Sequence, residues 1–75
     1  MKRQLLEEHM AMSDRHVALG AQHIERQRKL VAELERDGHD TALAKWLLRQ
    51  LEELQVLHIQ TRDRLREELQ QPAQR

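Results

Sequence analysis

The run Asp37-Gly38-His39-Asp40-Thr41 lies at the midpoint of the 75-residue chain and is its only strong helix break before Pro72. Gly38 can take the left-handed conformation that closes a helix without a Cβ penalty. Asp40 can then accept from the free N–H groups that open the next helix. Leu, Gln, Glu, Arg and Ala, all good helix formers, dominate both flanks. The chain is therefore expected to be all-α and to fold back once, as a two-helix antiparallel hairpin of coiled-coil type. The expected limits are residues 3–37 for the first helix, 38–40 for the turn and 41–70 for the second helix, all within one domain over 1–71. Pro72 restricts Gln71 and ends the second helix, leaving 72–75 as an expected disordered tail.

In the first helix Met10, Val17, Ile24 and Val31 recur every seven residues. Leu6, Ser13, Gly20, Gln27 and Leu34 occupy the alternating step of a 3-4 spacing. Ser13-Asp14 has the chemistry of a helix start, so the first dozen residues are expected as a separate or frayed turn. The second helix offers Ala44, Leu47, Leu51, Leu54, His58, Thr61 and Leu65 as its seam. Leu43, Leu48, Leu57 and Leu69 widen it on both flanks, and with Leu30 they exceed what a two-stranded seam needs. A second copy is the simplest way to cover them, so a homodimer forming a four-helix bundle is expected. A chain this short also gains from such help, because its own core is marginal.

Composition narrows the function. There are no cysteines, which removes disulfides and cysteine-ligated zinc. The 13 acidic and 13 basic residues alternate closely instead of forming blocks, and Trp46 is the single aromatic. That pattern describes solvated helix faces rather than a nucleic-acid footprint, although Arg26, Arg28, Lys29, Arg62, Arg64 and Arg66 keep nucleic-acid association as a weaker alternative. No apolar run approaches the roughly 20 residues of a membrane span, and Glu7, Glu8 and His9 interrupt any signal-peptide core. No membrane association and a cytoplasmic location are the expectations. No cysteine nucleophile and no glycine-rich phosphate loop occur, and Ser13 with His16, one turn apart, has no pocket around it. The chain is read as a non-enzyme that needs no cofactor.

The histidines are the remaining chemistry. Folding about Gly38 is expected to set Gly20 opposite His58, Val17 opposite Thr61, Ile24 opposite Leu54 and Gln27 opposite Leu51. His16 and His23 flank Gly20, about 10.5 Å apart along the axis, which is too far to share one metal ion directly. One of them with His58 would make a metal- or proton-sensitive site. The alternative is a buried His58 that hydrogen-bonds across the seam and fixes register. Trp46, Val56 and Ile59, pointing away from the partner helix, join Leu48 and Leu57 as a candidate interaction surface.

Several stretches carry a resemblance: Arg15-His16-Val17 through Gly20, His23-Ile24, Arg26-Gln27-Arg28, and Leu34-Glu35-Arg36-Asp37-Gly38-His39-Asp40-Thr41. Gln55, His58 and Arg62-Asp63-Arg64-Leu65 extend it. With these motifs the chain resembles a group of short uncharacterised bacterial helical proteins, best represented in alphaproteobacteria. The resemblance spans about residues 13–69. It implies a small soluble helical protein with no catalytic role, and it assigns no function to any residue. The reading is a protein-interaction, scaffolding or regulatory module acting on an unidentified protein partner, with a histidine-based metal-binding bundle as the alternative.

Overall fold

The computed structural model of the chain describes residues 2–71. The expected tail at 72–75 lies outside them. Two helices pack against each other, α1 (Lys2–Arg36) and α2 (Ala42–Gln70), and no strand occurs among the described residues. One glycine and no proline fall inside α1, and neither residue falls inside α2. Nothing therefore interrupts either ladder of backbone hydrogen bonds. The rod measures 62 × 14 × 13 Å.

The turn is built by two local devices. Gly38 has φ 75°. Its N–H donates to the Glu35 carbonyl at 3.2 Å, and the His39 N–H donates to the Leu34 carbonyl at 2.9 Å. These two bonds form the glycine-closed helix end in which a left-handed residue satisfies the last carbonyls. The start of α2 depends on Asp40, whose carboxylate accepts from the Ala42 N–H at 3.0 Å. Thr41 stands at the capping position but makes no side-chain cap. Its carbonyl accepts from the Lys45 N–H at 2.8 Å and so begins the ladder.

The inner stripe of α1 is the one its 3-4 spacing predicts. Ile24 and Val31 are buried, and Leu6, Met10, Val17, Gly20, Gln27 and Leu34 are half-buried. Ser13 corrects the expected break near residue 13. It is 7% exposed, in the middle of one continuous helix. Its small side chain fills a seam position, and the burial of that stripe outweighs its capping tendency.

The inner stripe of α2 departs from expectation in one of its two rows. Ala44, Leu51, His58 and Leu65 are half-buried, as their spacing implies. The second row is Leu48, Gln55, Arg62 and Leu69, not Leu47, Leu54 and Thr61, which are exposed. The helix is rotated so that each member of the second row lies one residue further along. Ile24, Val31 and Ser13 are the only buried residues among those described, so the two-helix core is thin.

Candidate functional site

Two glutamines cross the seam in opposite directions. Gln27 of α1 donates its amide to the Ala44 carbonyl of α2 at 3.0 Å. Gln55 of α2 donates its amide to the Val17 carbonyl of α1 at 2.8 Å. Each backbone carbonyl has a second lone pair beyond the one used within its own helix, so both bonds form without breaking a ladder. Gly20, expected opposite His58, lies instead against the Gln55 side chain. The register is thus about one helical turn from the predicted pairing. The Gln55 Oε1 atom is buried and has no hydrogen-bond partner. At the open end, Arg3 donates to the Leu69 carbonyl at 3.1 Å.

The hairpin has two unlike edges. Arg28 pairs with Glu52 at 3.2 Å, and Lys45 pairs with Glu35 at 3.0 Å. All four residues stand one position after a seam residue. The pairs are solvent-exposed and each is worth well under about 1 kcal/mol. The observed rotation of α2 brings these side chains together on one edge.

The residues one position before the seam lie on the other edge. In α1 they are Leu5, His9, Met12, His16, Leu19, His23, Arg26, Leu30 and Glu33, and in α2 they are Leu43, Leu47, Gln50, Leu54, Leu57, Thr61, Arg64 and Glu68. Four of them, Arg26, Glu33, Arg64 and Glu68, are charged; with histidine neutral, the stretches Leu5 to His23 and Leu43 to Thr61 of this edge carry no charge, in a chain where 35% of residues are charged. All are exposed except the half-buried Gln50. Leu43 is 77% exposed and Leu57 58% exposed. Large aliphatic side chains at this periodicity, open to solvent, form a second row with no partner inside the hairpin.

Between the helices on this apolar edge lies a groove of about 220 Å³, lined by His16, Leu19, Gly20, His23, Leu51, Leu54, Gln55 and His58. It brings together all three histidines singled out in the sequence. The rings of His16 and His58 face each other across the seam with centroids 5.3 Å apart and planes inclined at 46°. No group of three or more His, Cys, Asp or Glu side chains is placed to hold a metal ion among the described residues.

The expected interaction surface does not form one patch. Leu48 is a half-buried seam residue, and Ile59 is half-buried on the ion-paired edge. Trp46, at 49% exposure, and Val56 lie on the outer side of α2. They are about 15 Å apart along the axis, with Arg49 and Glu53 between them. Only Leu57 belongs to the apolar edge. The missed signal was the Leu43-Leu47-Leu54-Leu57 spacing, which is as regular as the true seam. Three of the six basic side chains considered for phosphate contact are paired with carboxylates. Arg28 pairs with Glu52, Arg62 with Asp63 at 3.1 Å, and Arg66 approaches the same Asp63 carboxylate at 3.9 Å. No helix is long and apolar enough to cross a membrane among the described residues.

No family model matches the sequence, and searches of curated proteins and of solved structures give no match.

Proposed function

We propose that the protein is a non-enzymatic interaction module that pairs with a second copy of itself through the apolar edge, giving a four-helix bundle. The observation that carries this reading is the row of exposed leucines, Leu43, Leu47, Leu54 and Leu57 with Leu5, Leu19 and Leu30, on the edge opposite the ion-paired one. Its exposed leucines have nothing to pack against within a single hairpin. A thin core needs further burial, and a second identical edge supplies it symmetrically. Trp46 and Val56 remain outside this contact, on the outer surface, where they are available to another protein.

Sedimentation tests the reading. The protein should have the mass of a dimer at tens of micromolar, and its melting temperature should rise with concentration. A monomer with a concentration-independent melt would remove the proposal.

A further inference from the structure

We propose that His16 and His58 form a two-histidine chelate for a divalent transition-metal ion of the zinc type, clamping α1 to α2. Imidazole nitrogen binds zinc at about 2.0–2.1 Å, which sets the ring centroid roughly 3.2 Å from the metal. Two such rings at a tetrahedral angle have centroids about 5.2 Å apart. The observed separation is 5.3 Å, with the rings inclined at 46° rather than stacked. The centroid separation matches that of two imidazole ligands of one ion, and the two rings come from different helices.

The surroundings favour this use. No side-chain hydrogen bond engages either ring among the described residues, so each keeps a lone pair to offer. No Lys or Arg lines the groove to repel a cation. No carboxylate lines it either, so the donor set is imidazole alone, which suits zinc, copper or nickel rather than calcium or magnesium. With no third protein ligand in place, water completes the coordination. The chelate lies within one chain and does not rest on the self-association proposed above.

Calorimetric titration of zinc chloride into the full chain tests it, with thermal melts in parallel. One zinc should bind per chain and raise the melting temperature. His16→Gln and His58→Gln should each weaken binding roughly tenfold or more, because each removes one arm of an intramolecular chelate. His9→Gln should bind as the parent does. Circular dichroism without metal confirms that the variants fold. In the parent, the imidazole NMR signals of His16 and His58 should move together on zinc addition while those of His9 and His39 stay in place, which needs no variant. Half a zinc per chain, full binding by His58→Gln, equal loss in His9→Gln, or no binding at millimolar zinc would each overturn the chelate.

Discussion

The amide of Gln55 occupies the space that a side chain at position 20 would fill. A Cβ built on Gly20 would overlap Gln55 Oε1 and approach its Cδ to 2.8 Å. The same amide is held by its bond to the Val17 carbonyl. Absence of a side chain on one helix and a polar tether from the other are thus one device, and it fixes the helices in register.

Gly20 and Gln55 should therefore be energetically coupled. Alanine in place of a mid-helix glycine gains about 1 kcal/mol from helix propensity alone. In the parent, Gly20→Ala displaces the Gln55 amide and loses a bond worth about 1 kcal/mol, so the net change should be near zero or unfavourable. In a Gln55→Ala background the full gain of about 1 kcal/mol should appear. Urea denaturation of the four proteins measures a coupling of about 1 kcal/mol, and strict additivity would show that the two positions do not meet.

Gly38 should be hard to replace. Its φ of 75° lies where a β-branched residue is strained. Nothing lies within 4 Å of a Cβ built there, so the cost is conformational and not a clash. Gly38→Val should destabilise the fold by about 1–2 kcal/mol. Unchanged thermal unfolding would place the reversal of the chain elsewhere.

Asp40, rather than Thr41, should cap α2. Asp40→Ala should cost about 1 kcal/mol, while Thr41→Ala should cost a few tenths. Chemical denaturation of both variants distinguishes them, and the reverse order would show that the threonine hydroxyl takes over the cap in solution.

α1 is legible in the sequence because one apolar stripe runs its whole length. Met10, Val17, Ile24 and Val31 recur without a break, while the neighbouring row Leu5, Met12 and Leu19 ends at Arg26, so the inner face follows from spacing. In α2 leucine occupies two rows side by side, and hydrophobicity alone cannot choose between Leu47-Leu54 and Leu48-Leu69. The choice falls to polar groups: the reach of Gln55 to the Val17 carbonyl and the pairing of Arg28 with Glu52. Both depend on long-range register, which a turn centred on Gly38 sets only to within about one helical turn. That error also placed Gly20 opposite His58. The histidine cluster survived it, because His16, His23 and His58 border the same edge in either register. Ser13 departs from its expected place at a helix start for a different reason. A serine favours caps locally, but a small residue is also tolerated inside a tight helix–helix seam.

The most direct test of the unpartnered apolar edge is sedimentation equilibrium on the parent and on Leu54→Glu. Leu54 is 49% exposed in the hairpin, so a charge there leaves the two-helix seam intact. In a dimer built on that edge the same charge would be withdrawn from water into an interface of leucines, which is unfavourable. The parent should sediment as a dimer at tens of micromolar and Leu54→Glu as a folded monomer with a lower melting temperature. Equal masses for the two proteins, whether both monomeric or both dimeric, would contradict self-association through this face.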